Sequence, residues 1–378
     1  MSTTTTRYPR SVEPVQTNGR DINCEIAELS GEAGSQVSSG STDAHVGSIA
    51  KAWNALPEPD RTDPTYYDRP MLKEPVWEWA IPLYYYIGGL TGASLVLGAA
   101  AQIGESKRRE NLIRRCHWIG FIGATVSGGL LIYDLGKPSR FLNMLRVFRP
   151  TSPMNIGAWI LSGTGATATG ALLFSGRRGL LGSLGELLGY KAGIFGLGLA
   201  TYTGVLIANS AIPIWQESRR ALPVLFGTSA LASLGCTFDV FSENSEERGI
   251  TNIIGNVGRA GELAAGFMME HHASAVPRVG RPFKRGWSGV MWRSAEMLTF
   301  ASLVISLLPN RTRKRRLAAG VLGTLGSLLL RYTVEHFGTV SARDARASFH
   351  QQRAGHGAAS LASIHEHVKV TASDSDPK

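Results

Sequence analysis

The residues whose types could carry chemistry are carboxylates (Asp134, Glu262, Glu270, Glu296, Glu335), arginines (Arg259, Arg293, Arg331), histidines (His117, His271, His272, His336) and the run Tyr84-Tyr85-Tyr86. Carboxylates and imidazoles exchange protons, and Tyr and Arg donate hydrogen bonds. No metal-ligand spacing accompanies them. Such a set suits an amphipathic two-electron, two-proton carrier such as a quinone. That chemistry needs hydrogen bonds to two carbonyl oxygens and a carboxylate or His to exchange protons, while the protein itself need hold no electrons. Cys24, Cys116 and Cys236 are isolated and form no Cys-x-x-Cys pair, so no iron–sulfur, zinc or c-type haem motif is expected. Haem b would need histidines facing one another well inside the helices, whereas these fall near predicted helix ends. His350, His356, His365 and His367 lie in a polar tail and read as solvated.

The elements that must position these groups are membrane helices. Mean hydropathy is close to zero, but the apolar residues cluster into runs of about 18 to 24, the length that a ~30 Å hydrocarbon core requires. Eight spans are predicted, near 80–103, 116–133, 156–174, 192–212, 221–241, 250–269, 287–308 and 317–338. The 44 glycines fit close helix approach in lipid. Trp77, Trp79, Trp215 and Trp287 sit at span ends, where interfacial aromatics belong. The fold class is therefore all-α, a polytopic membrane protein. Residues 1–75 form a disordered or peripheral tail without the apolar core of a signal peptide, 76–340 the membrane domain, and 341–378 a disordered tail. The net charge of +10 is read as basic loops on anionic lipid headgroups, not as a nucleic-acid surface.

Asp134 ends the second span in the string Tyr133-Asp134-Leu135-Gly136-Lys137-Pro138. Gly136 and Pro138 stop the helix there. Ser152, Pro153 and Asn155 are expected to supply capping oxygens and a fixed φ for the next, with a basic connector between. Three pairs recur at helical spacing in the last spans, Arg259 with Glu262, Arg293 with Glu296 and Arg331 with Glu335. Each pair shares one helix face. They either neutralise one another for structure or face a wet cavity. Alternating spans place Asp134 on the same side as Glu78, Tyr84 to Tyr86, Trp215, Glu270, Arg293, Glu335 and His336, the side that carries both tails. His117 and Asp239 fall at the opposite side. Lys and Arg are more numerous after the odd spans, but Arg69, Lys73, Arg343 and Arg346 in the adjoining tails cancel that margin.

Several strings resemble one known family. These are Trp79 to Gly92, Asp134-Leu135-Gly136-Lys137-Pro138-x-Arg140-Phe141, Ser152-Pro153-Met154-x-x-Gly157-Ala158-Trp159, Tyr202-Thr203-Gly204 through Pro213-x-Trp215, and Leu330-Arg331-Tyr332. They are similar to the membrane subunits of polysulfide and nitrite reductases, the NrfD-like or PsrC-like family, over about residues 77–340. The resemblance implies eight helices in two four-helix bundles, with menaquinol or ubiquinol bound near the outer face of a bacterial inner membrane and both termini outside. It also implies a ferredoxin-like iron–sulfur partner that feeds a molybdopterin or cytochrome catalytic subunit. Asp134 carries over as the boundary acid, and Tyr84, Tyr85 and Tyr86 as headgroup contacts. Arg140 and Arg331, in the matching strings, join them as binding candidates, and His117 and Glu262 are proton-path candidates. The quinone is an exchangeable substrate, no haem, cluster or metal is expected in the chain, and catalysis alone is not its role.

Other readings of the same residues stand beside these. Asp134 could be a helix-end carboxylate paired with Lys137 or Arg140, and the Tyr run an interfacial aromatic belt. The whole chain could instead translocate protons through the charged pairs of the last three spans, or be an anchor without chemistry.

Overall fold

The structure is a computed structural model that describes residues 22–23, 28–29, 70–104, 109–136, 138–241, 244–309 and 312–356. Residues 61–348 form one compact unit; residues 1–60 and 349–378 form a second. Of the second, the strands β1 (Ile22–Asn23) and β2 (Glu28–Leu29) pair antiparallel. Most of both expected tails lies outside the described residues. The C-terminal tail, expected to be unstructured from 341, instead begins inside a helix.

The first unit is helical. In chain order its long helices are α1 (Ala80–Ile103), α2 (Glu110–Leu135), α4 (Pro153–Phe174), α5 (Leu180–Ala208), α7 (Ala221–Phe241), α8 (Ser245–Ser274), α10 (Gly286–Leu307) and α11 (Arg313–Arg343). Short helices α3 (Pro138–Arg146), α6 (Pro213–Glu217), α9 (Arg281–Lys284) and α12 (Ala345–Arg353) connect or follow them. Helix α1 packs on α2, α5 and α7, and α4 packs on α2 and α5. Helix α7 packs on α8 and α11, and α10 joins α8 to α11. Seven of the long helices are long and apolar enough to cross a membrane; α8 is not among them. Many Ser and Thr hydroxyls inside the helices donate to the carbonyl four residues earlier, as Thr164, Ser233, Thr251 and Thr333 do at 2.7–2.8 Å, which keeps them satisfied without water.

Helix α8 is apolar outside and charged inside. Asn244 caps it by accepting the Glu246 N–H at 3.1 Å, and Glu246 and Glu247 in the first turn and His271 and His272 in the last match the helix dipole. Between residues 250 and 270 its exposed positions are Ile253, Val257, Ala260, Ala264 and Phe267, while Arg259 and Glu262 are buried. A water-soluble helix is patterned the other way. At 30 residues and ~1.5 Å per residue, it is about 45 Å long. Its inner face meets α7 with no side chain between the two backbones. A Cβ on Gly235 would fall 2.3 Å from the Gly255 Cα, and one on Gly255 2.7 Å from the Gly235 Cα.

The segment around Asp134 departs from expectation in two respects. Gly136 ends α2 in the left-handed region at φ 67°, its N–H bonded to the Tyr133 carbonyl at 3.1 Å, as its sequence predicts. The basic connector is itself a helix, α3. Ser152 stands at the N-cap of α4 with Pro153 following, but its side chain makes no capping bond. Asn155 does not cap either. It stitches the connector down, accepting the Arg149 N–H at 2.7 Å and donating to the Met144 and Val147 carbonyls.

Candidate functional site

The ends of α1, α2, α6 and α11 meet on one side, as alternation of the spans requires. Residues 74–79 cross that end of the helical unit and are held from several directions. Arg343 donates to Glu74 at 2.8 Å, a hydrogen bond that holds the Glu74 carboxyl below the usual carboxylate range. The Tyr332 hydroxyl donates to the Trp79 carbonyl at 2.9 Å, and Trp79 meets Tyr133 with ring centroids 5.7 Å apart. The Asp134 carboxylate accepts the backbone N–H of Glu78. Asp134 is thus half-buried against the start of α1. The Arg140 side chain lies outside the described residues.

Behind this segment lies a cluster of rings. Trp77 stacks on Trp215 at 5.9 Å and stands edge-on to Tyr85 at 6.2 Å. Tyr85 in turn meets Phe226 edge-on at 5.8 Å. Trp215 is buried, its indole N–H donates to the Val334 carbonyl at 2.8 Å, and its ring fills the space beside Gly338. It is therefore a packing centre and not an interfacial aromatic, whereas Trp79 and Trp287, 53% and 69% exposed, keep the expected position. Pro213 begins α6, which turns the chain after α5 and delivers Trp215 to α11.

The three tyrosines are all buried, at 4%, 1% and 8% exposure for Tyr84, Tyr85 and Tyr86, which rules out the aromatic belt. They do not form one contact surface. Consecutive helical residues point about 100° apart, so Tyr84 lies beside Gly88 and Leu199 of α5. Tyr86 bonds the hydroxyls of Thr324 and Ser233 on α11 and α7. Tyr85 falls between them, in the electrostatic reach of Tyr84, Glu335, Tyr202 and Asp134, and its hydroxyl has no hydrogen-bond partner among the described residues.

Two of the three expected ion pairs are replaced by others. Arg293 does bridge Glu296, and also Glu270, each at 2.7 Å. Arg259, fully buried, bonds instead to Asp239 at 2.8 Å, Asn256 at 2.9 Å and the Cys236 sulfur at 3.2 Å. Arg331 lies over the Phe226 ring at 3.9 Å and donates to the Phe226 carbonyl at 3.0 Å, with Glu262 as its charge partner. Glu262 accepts from Ser327 at 2.8 Å and Thr299 at 3.0 Å. Pairing along one helix was legible at i, i+3 spacing. Pairing across helices, with Asp239 and Phe226 arriving from α7, was not.

Asp134, His117 and Glu262 are therefore not one catalytic group. His117 and Asp134 are separated by seventeen residues of α2, about 25 Å at the helical rise. His117 is buried against Gly98 and neither ring nitrogen has a partner among the described residues. Glu262 sits between α8, α10 and α11. It belongs to a file of polar groups that follows α8: the Arg115–Glu247 bridge at 2.8 Å, then Asn252, Ser306 and Asn256, then Arg259 with Asp239, then Glu262 with Arg331. The sequence showed Cys236, Ser306, Thr299 and Ser327 as ordinary small residues, and no spacing rule marks them.

Long apolar helices, aromatic and carboxylate groups at their ends, and charges turned inward define a polytopic membrane protein. The chain belongs to the polysulphide reductase NrfD family, whose model matches residues 69–340. No match was found among curated proteins.

Proposed function

We propose that this chain is the quinone-reactive membrane subunit of a respiratory oxidoreductase. It crosses a bacterial inner membrane eight times, with α8, which lacks the apolar stretch of the seven other long helices, as the sixth span, and its long helices group as two four-helix bundles. The observation that carries the reading is the end of the helical unit where Asp134, the buried Tyr85 hydroxyl and the Trp77–Trp215 stack come together. A carboxylate, a free phenol and aromatic faces are what a quinone headgroup needs for proton exchange, hydrogen bonding and stacking. Electrons pass between the quinone and a ferredoxin-like iron–sulfur partner, which connects to a molybdopterin or cytochrome catalytic subunit. Both termini and the quinone site lie on the outer face.

Asp134→Asn is expected to lower quinol-linked turnover of the intact complex by about 100-fold, the scale of a lost acid–base group, with unchanged assembly on a native gel. Turnover equal to the unaltered complex would remove Asp134 from the mechanism.

The file of polar groups along α8 favours a second reading, that protons move through the chain. Buried polar side chains in lipid are expensive and commonly line such paths. Proteoliposomes of the subunit should then acidify more slowly under an imposed pH gradient when Glu262→Gln is introduced. Liposomes with the unaltered chain that are as tight as empty ones would exclude it.

A further inference from the structure

We infer that Glu335 is a second proton-exchanging carboxyl of this quinone site, on the same end of the helical unit as Asp134. The inference rests on the quinone reading above and names a residue that reading does not need.

Glu335 lies on the face of α11 that meets the aromatic cluster. Arg331, one turn earlier, holds Phe226. Val334 accepts the Trp215 N–H, and Gly338 accommodates the Trp215 ring. Glu335 is placed among them, half-buried. The expected partner, Arg331, is engaged with Phe226 and Glu262. The one hydrogen bond that Glu335 makes among the described residues is a long one, 3.5 Å from the Thr339 hydroxyl. A carboxylate half-buried at the end of a membrane span, with no cation bonded to it among the described residues, is costly. Tyr85 supplies the second, independent observation. Its hydroxyl is buried, has no hydrogen-bond partner among the described residues, and lies within electrostatic reach of both Glu335 and Asp134. Buried polar atoms are almost always hydrogen-bonded, so a buried phenol left open beside the Trp77 and Phe226 rings marks the place of a polar ligand.

A quinol headgroup supplies what is missing. It carries an oxygen at each end of a planar ring, and the two acids stand on different helices, α2 and α11. Oxidation of the quinol to the quinone releases two electrons and two protons. The electrons go to the iron–sulfur partner. One hydroxyl gives its proton to the Glu335 carboxylate and the other to Asp134, and both carboxyls return their protons to water at the membrane surface. Reduction of a quinone runs the same transfers backward. Tyr85 keeps its proton throughout and donates to a ring oxygen.

The test uses the intact complex in native membranes, with a short-chain ubiquinol and a short-chain naphthoquinol as donors and a hydroxyquinoline N-oxide as a fluorescent site probe. Glu335→Gln is expected to lower turnover with the accepted donor by about 100-fold while the probe still binds. Glu335→Asp should recover part of that turnover, because the carboxyl is kept. Tyr85→Phe should weaken probe binding by about tenfold, the effect of one lost hydrogen bond at roughly 1.4 kcal/mol. Wild-type turnover in Glu335→Gln, together with loss in Asp134→Asn, would overturn this inference and leave the quinone reading standing. No probe binding and no quinol turnover in the unaltered complex would overturn the quinone reading itself. Should Glu335→Gln fail to assemble, Glu335→Asp decides: turnover as low as in Asp134→Asn in an assembled complex makes the role positional, and turnover well above it keeps the proton role.

Discussion

Asp239→Asn is expected to destabilise the protein by about 3–5 kcal/mol, because it leaves the Arg259 guanidinium charged and uncompensated among α7, α8 and α10. The guanidinium is fully buried, and its closest acceptor is the Asp239 carboxylate at 2.8 Å. Asn256 and Cys236 also touch it but carry no charge that balances it. A buried charge without its partner costs more than the pair contributed. The asymmetry gives a control: Asp239→Leu with Arg259→Met removes both charges and should restore most of the lost stability. Unfolding of detergent-solubilised protein, followed by far-ultraviolet circular dichroism against added dodecyl sulfate, measures both variants. A single variant that unfolds at the wild-type midpoint would mean that the pair is dispensable.

Gly235→Val should be comparably severe, for a steric reason. The Gly235 Cβ position is 2.3 Å from the Gly255 Cα, and the Gly258 Cβ position is 2.2 Å from the Ala232 backbone nitrogen. The groups in the way are main chain, which cannot rotate aside as a side chain does. Overpacking a close contact costs about 1–3 kcal/mol, and here relief requires α7 and α8 to separate. Separation would also lengthen the Arg259–Asp239 contact, so the cost falls at or above the upper end of that range. Gly227→Val is a fit control, since its Cβ would meet only the Thr201 methyl at 3.1 Å. Equal loss in the two variants would show that general helix propensity, and not the crossing, sets the effect.

Both predictions concern a region that the sequence described only in outline. Charge recurrence on α8, α10 and α11 was visible, but the partners were assigned by spacing along one helix, and two of three proved wrong. An i, i+3 or i, i+4 pair is close on an isolated helix, yet a helix in a bundle presents that face to its neighbours. Arg259 on α8 reaches Asp239 of α7, which the Gly235–Gly255 crossing holds against α8, and Arg331 on α11 reaches the Phe226 carbonyl of the same helix α7. The tyrosine run shows the same limit. Three consecutive residues looked like one surface, but a helix turns them to three different neighbours.

What the sequence by itself determined follows from one-dimensional properties. Runs of apolar residues gave the long helices, Gly136 gave the stop after Asp134, and alternation of spans gave the side on which Asp134, Glu78, Trp215 and Glu335 assemble. The string around Asp134 pointed to the family. Tertiary structure alone decided which groups touch. It moved Trp215 from the interface to the interior, and turned the charges of α8 onto partners from other helices. It also left the buried Tyr85 hydroxyl without a hydrogen-bond partner among the described residues. The physical reason is that span length and helix termination depend on neighbouring residues in the chain. Satisfaction of the buried charges depends on atoms brought from residues tens of positions away, as Asp239 comes to Arg259 and Ser327 to Glu262, and no local pattern records them.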